Sequence, residues 1–143
     1  MADLILIDGD TVNFLPTFGA AIVVTKPGTL TGSGPGTLRG KKLCVSGDES
    51  GVQVAGCDYM TPQYSIPGKG TLKIKALAAD QLARKTRTGS KEVLLKGSQF
   101  TATFEVASPA QQPNPSGPPI PDATPQYSGQ GMFETQNAHF RGE

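Results

Sequence analysis

Between Arg39 and Val106 the chain repeats one local pattern four times: a short run, bounded by glycine, in which apolar and polar residues roughly alternate. The runs are Lys41-Lys42-Leu43-Cys44-Val45-Ser46-Gly47, Gly51-Val52-Gln53-Val54-Ala55-Gly56, Gly70-Thr71-Leu72-Lys73-Ile74-Lys75 and Lys91-Glu92-Val93-Leu94-Leu95-Lys96-Gly97. Alternation at period two puts one face of a strand in a core and the other in water. Glycine at the ends lets the chain reverse direction. The pattern predicts a mainly β fold: a small Gly-rich scaffold of short antiparallel strands, with at most one short helix and an extended Pro-rich C-terminal tail.

Composition points to a thin core. Of 143 residues, 36% are hydrophobic, and the 18 glycines bring the chain nearer the norm, which is roughly 45–50% with glycine counted. No Trp and only 6 Phe and 3 Tyr leave few large anchors. A thin core favours oligomerisation or docking onto a larger body, because small domains bury too little surface alone.

The net charge of +1 creates no global field for nucleic acid or membrane. The basic residues of 69–96 (Lys69, Lys73, Lys75, Arg84, Lys85, Arg87, Lys91, Lys96) outweigh Asp80 and Glu92 and read as a solvated strand face. No aromatic residues interleave with them for base stacking, and no basic recognition helix is visible. No segment has the length of a membrane anchor. Met1-Ala2-Asp3-Leu4-Ile5-Leu6-Ile7-Asp8 has no basic start, too short an apolar run and flanking Asp residues, so it is no signal peptide. Cytoplasmic synthesis is the expectation, with export by a dedicated machine left open.

The chain divides into a β domain, 1–107, and a tail, 108–143. Within the domain, region 1–27 reads as N-terminal hairpins, with Leu4–Ile7 turning at Asp8-Gly9-Asp10 into Thr11–Leu15. Residues 28–40, dense in Gly, Thr, Ser and Pro, form a loop, and 41–107 is the β core. Cys57–Gly70 reads as an irregular connection packed through Tyr59 and Tyr64. Ala76–Thr86 is the one candidate helix, with an extended crossover as its alternative. Phe100-Thr101-Ala102-Thr103-Phe104-Glu105-Val106 is the cleanest strand. From Ser108, the prolines 109, 113, 115, 118, 119, 121 and 125 favour an extended tail, which either wraps a neighbour or is a tolerated flexible end.

Little of this supports chemistry. Cys44 and Cys57 flank the second β pattern; a disulfide cannot be read from spacing, and zinc would need four ligands. The one histidine, His139, lies in the tail, so buried structural thiols are the expected role of the cysteines. Asp8-Gly9-Asp10 and Gly47-Asp48-Glu49 offer too few oxygens for calcium and read as turn residues. Gly32-Ser33-Gly34-Pro35-Gly36 lacks the Lys-Ser/Thr ending of a phosphate cradle. No catalytic, cofactor-binding or metal residues are assigned, no cofactor is expected, and the chain reads as no enzyme.

Three groups of residues carry a family resemblance: the Ser46-Gly47-Asp48-Glu49 turn; Cys57 with Pro62 and Ile66-Pro67-Gly68; and Gly89-Ser90-Lys91-Glu92-Val93-Leu94-Leu95-Lys96-Gly97-Ser98, followed by a further strand and Ser108-Pro109-Ala110. The middle half of the chain resembles the PAAR-like spike-tip proteins of contractile injection systems, which include type VI secretion and phage-tail-like machines. The literal Pro-Ala-Ala-Arg signature is absent, and one His cannot supply the several-His zinc site of the narrower group, so the resemblance implies a divergent, metal-free member. It implies a structural adaptor seated on a trimeric (VgrG/gpV-like) spike protein, with cargo effectors as further partners, assembled into the apparatus and exported with it. The alternative is a small β module binding carbohydrate or peptide through Tyr59, Tyr64 and Tyr127.

Overall fold

The computed structural model describes residues 3–135, 137 and 140–142. Numbered in chain order, eight strands form one antiparallel sheet: β3 (Thr17–Phe18), β4 (Ala21–Val23), β8 (Gln53–Met60), β9 (Gly68–Ala76), β12 (Phe100–Ser108), β15 (Gln126–Glu134), β2 (Thr11–Phe14) and β5 (Gly28–Thr29), neighbours in that spatial order. Four two-stranded pairs complete the set: β1 (Asp3–Leu4) with β16 (Arg141–Gly142), β6 (Thr37–Leu38) with β7 (Lys41–Lys42), β10 (Leu82–Thr88) with β11 (Lys91–Leu94), and β13 (Gln111–Gln112) with β14 (Ile120–Pro121).

The large sheet curls until its ends meet, because β2 and β3 belong to one run of chain. Leu15, between them, donates its N–H to the Gln130 carbonyl of β15 at 2.9 Å, and Pro16 accepts from Val23 N–H of β4 at 2.9 Å. The same segment is therefore bonded to a strand on each side, which removes most of the open edge. Register shifts supply the curvature: β8 slips against β9 between Val54 and Cys57, and β9 slips against β12 at both ends of their pairing. Bulges of this kind bend a strand and increase its twist.

Alternation then fills the interior. Phe100, Ala102 and Phe104 of β12 are buried while Thr101 faces solvent, as the sequence predicts. Phe100 meets Phe14 edge-on with ring centroids at 5.6 Å and lies 5.0 Å from Phe133; the Tyr59 ring lies 5.2 Å from that of Phe104, tilted by 59°. Aromatic contacts at these separations add to the area they bury, which is how six buried aromatic residues suffice for the main core.

Five segments fold differently from their sequence expectation, the first being the expected loop 28–40, which contributes β5 and β6. Leu4–Ile7 and Thr11–Leu15 do not pair as a hairpin: Thr11–Phe14 pairs with β15 and β5, and Leu4 pairs with Arg141. The Asp10 carboxylate accepts the Ile7 N–H at 2.7 Å and braces the turn, while the two segments that flank it pair elsewhere. Cys57–Met60 continues β8 rather than an irregular connection, since Cys57 and Tyr59 both point into the core. The candidate helix is one turn, Ala79–Gln81, between strands. Finally, the segment expected to run outside the β domain contributes β15, which lies between β12 and β2. Gly129 and Gly131 hide its alternation, because the space at these inward positions is filled by the rings of Phe18 and Phe100 instead.

Candidate docking site: a pseudo-threefold plate

Three tripeptides, Ile5-Leu6-Ile7, Leu43-Cys44-Val45 and Val93-Leu94-Leu95, meet at one place although they are far apart in sequence. Each pairs with both of the others through isolated antiparallel bridges: Ile5 with Leu95, Leu43 with Ile7, and Val93 with Val45. The first residue of each tripeptide always faces the third residue of another. The middle residues close a ring: Leu6 N–H donates to Leu94 C=O, Leu94 N–H to Cys44 C=O, and Cys44 N–H to Leu6 C=O, each at 2.9 Å.

An outer set repeats the relation. Asp8 N–H donates to Lys42 C=O at 2.8 Å, Ser46 N–H to Glu92 C=O at 2.8 Å, and Lys96 N–H to Leu4 C=O at 2.9 Å. Six bonds thus obey one threefold rule within a single chain. The result is a triangular plate in which every strand is its neighbours' partner.

Alternation along each tripeptide assigns the two faces of the plate. The middle side chains, Leu6, Cys44 and Leu94, join the barrel core. The flanking ones, Ile5, Ile7, Leu43, Val45, Val93 and Leu95, form a second cluster with Ala83 and Leu38. All nine are at most 6% exposed, so the plate is a partition between two apolar interiors.

The same turn follows each tripeptide. Gly9, Gly47 and Gly97 occupy equivalent places with φ of +87°, +103° and +54°, a region open to glycine and strained for most other residues. Asp10 and Asp48 are equivalent too: each accepts an amide three residues back, from Ile7 at 2.7 Å and from Val45 at 2.8 Å. In the third copy Ser98 stands there, and Leu95 N–H instead donates to Gln81 C=O at 2.9 Å. These carboxylates are turn braces. Asp8 accepts Gly32 N–H and Asp48 accepts the Ser33 hydroxyl, which ties the Gly-rich loop to the plate.

An arm leads into each tripeptide. Two are hairpins, β6–β7 and β10–β11. The third is β1 with β16, so the two ends of the described chain complete the last arm. Equivalence holds to the residue: Thr37 faces Lys42, Arg87 faces Glu92, and Arg141 faces Leu4.

The residues weighed for chemistry are dispersed. Cys44 lies in the plate and Cys57 in β8; both are free and buried, and burial pushes both thiols up from their ordinary pKa. His139 lies outside the described residues. Among the described residues no group of His, Cys, Asp and Glu is arranged to hold a metal. Tyr59 is 1% exposed, so it is not a surface aromatic. Its hydroxyl donates to Asp122 Oδ2 at 3.0 Å and accepts Ala110 N–H at 2.9 Å, while Tyr127 donates to the same oxygen at 2.6 Å. Burial pushes the Tyr59 phenol up to about 12 and raises Tyr127 as well. Burial also pushes the Asp122 carboxyl up, but the hydrogen bonds from Tyr127, Thr124 and Tyr59 outweigh it and hold the group below the usual carboxylate range. This cluster fastens the Pro-rich segment to the barrel.

The threefold plate escaped sequence reasoning, yet a signal was present. Ile5-Leu6-Ile7-Asp8-Gly9-Asp10, Leu43-Cys44-Val45-Ser46-Gly47-Asp48 and Val93-Leu94-Leu95-Lys96-Gly97-Ser98 share three apolar residues followed by polar-Gly-polar.

A curled β scaffold that carries a triangular plate with three arms defines a small all-β protein of structural class. Comparison with protein families agrees with that class. The chain belongs to the contractile injection system spike tip protein family, whose model matches residues 1–143. No individually curated protein matches it in sequence. It is therefore a structural component of a contractile injection apparatus, associated there with the spike. No helix among the described residues is long and apolar enough to cross a membrane.

Proposed function

We propose that this chain is a non-enzymatic adaptor that caps the blunt end of a homotrimeric spike, one tip chain on three spike chains. The observation that carries this reading is the ring of hydrogen bonds through Leu6, Cys44 and Leu94. The end of a homotrimer offers the same surface three times around one axis. A single chain meets all three copies alike only if it presents nearly equivalent contacts three times, and the three arms around the plate do so. Docking also supplements a thin core, as expected for a small domain.

The mechanism is mechanical. Load along the pseudo-threefold axis falls on a plate packed from both sides, and interiors at native density transmit strain with little give. The exposed turn of the Pro-rich segment, residues 115–120, lies away from the plate in sequence and offers an attachment for cargo effectors. The carboxylates that invite a catalytic reading are occupied: Asp10 and Asp48 brace turns, and Asp122 binds two phenols. Co-elution of the purified tip with the purified spike trimer of the same apparatus on a sizing column is the test. A shared peak supports capping, and separate elution at micromolar concentration of both overturns it.

A further inference from the structure

The charge of the molecule is concentrated on the three arms. The β6–β7 arm carries Arg39, Lys41 and Lys42; the β10–β11 arm carries Arg84, Lys85, Arg87 and Lys91; the β1–β16 arm carries Arg141. All are exposed except Lys41, which is half-buried. The four segments 3–4, 37–42, 82–92 and 141–142 hold these eight cations and two carboxylates, Asp3 and Glu92, a sequence excess of +6. The whole chain has a formal charge of +1, so the remainder carries −5.

The two arm carboxylates are already engaged. Asp3 accepts the backbone amides of Leu4 at 2.7 Å and Gly97 at 2.8 Å, and Glu92 pairs with Arg87 at 3.1 Å. The arms also stand side by side. The Thr88 hydroxyl accepts the N–H of Gly36, just before the β6–β7 arm, at 2.9 Å, and Gly142 packs against Thr86. Their charge is uneven around the pseudo-threefold axis, +3 on the β6–β7 arm, +3 on the β10–β11 arm and zero on the β1–β16 arm, yet each arm presents at least one exposed arginine: Arg39, Arg87 and Arg141.

We propose that this three-armed end is the docking face, and that its partner is an acidic protein surface of threefold symmetry: a spike trimer whose end presents carboxylates to each arm. The inference rests on the capping reading, which already uses the three arms, and adds to it the chemistry of the partner. Complementary fields steer encounter and fix register, which suits a one-to-three contact that must seat in one of three equivalent orientations. Such steering weakens as salt screens charges beyond about 8–10 Å.

The test measures affinity of the full chain for the purified spike trimer at rising sodium chloride, with three variants. The first combines Arg39→Glu, Lys91→Glu and Arg141→Glu, one change per arm. The second, Lys73→Glu with Lys75→Glu, reverses charge on the barrel wall. The third, Ile22→Asp with Met60→Asp, alters the exposed apolar pair of β4 and β8, which are 60% and 39% exposed. Melting curves verify that each variant is folded. We expect salt to weaken wild-type binding and the arm variant to lose on the order of 100-fold in affinity, with the other two within about threefold. Unchanged binding by a folded arm variant, or loss confined to the Ile22/Met60 variant, overturns the inference and leaves capping intact. Failure of the wild type to bind the trimer overturns capping itself. Wild-type binding to phosphatidylglycerol vesicles but not to the trimer overturns both, and assigns the basic end to a membrane surface.

Discussion

Leu6 donates its amide hydrogen to the Leu94 carbonyl at 2.9 Å across most of the β domain's sequence, and the Leu94 amide passes the relation on to Cys44. Neither bond belongs to a conventional ladder. Together they make the plate a closed unit, with each middle side chain buried in the barrel core. Leu6 and Leu94 are 0% exposed. Leu6→Ala and Leu94→Ala are each expected to cost roughly 2–5 kcal/mol, as buried Leu truncations do, whereas Ile22→Ala at a 60% exposed position stays within about 0.5 kcal/mol. Urea unfolding at constant m-value measures all three.

Gly129 tests the closure of the barrel. A Cβ there would lie 2.6 Å from the Phe18 ring, whereas one on Gly51 meets nothing within 4 Å. Phe18 is 0% exposed and has no room to retreat. Gly129→Ala is expected to destabilise by about 1–3 kcal/mol through overpacking, and Gly51→Ala to be near neutral. Thermal melts of the two variants make the comparison.

The Tyr59–Asp122–Tyr127 cluster predicts a pH window. Asp122 has a depressed folded pKa, so its contribution is present above the ordinary carboxylate value of about 4 and is lost as pH falls through the lower folded value. Tyr59 has a raised one, about 12; its contribution is complete below the ordinary phenol value of about 10 and is lost as pH rises towards 12. Melting temperature should therefore decline above pH 10. Tyr59→Phe should flatten that decline while costing about 1–3 kcal/mol at pH 7, because Ala110 N–H loses its acceptor.

The two thiols should be inert in the folded protein. Cys44 and Cys57 are 0% exposed and burial disfavours their thiolates, the form that reacts. Ellman's reagent at pH 8 should label neither over an hour in buffer and both after denaturation. Rapid native labelling of Cys44 would contradict the sealed plate.

Much of the fold was legible in the sequence. Phe100–Val106 alternates cleanly because one face meets the core and the other water. The mainly β class followed from such runs. Two kinds of information were hidden. The plate depends on tripeptides buried on both faces, so Ile5-Leu6-Ile7 shows no alternation and reads as any short apolar strand. β15 is the converse case: Gly129 and Gly131 leave room for Phe18 and Phe100, so Tyr127 and Phe133 are the only large side chains on its inward face. The cysteines were legible as buried thiols, but only the structure places Cys44 at one corner of a threefold ring.

The central claim is tested most directly by the mass of the purified tip–spike complex, measured by native mass spectrometry. A pseudo-threefold plate within one chain predicts one tip chain for every three spike chains. A complex of three tip chains on three spike chains would contradict it, because each spike chain would then bind its own tip and the internal symmetry would have no partner.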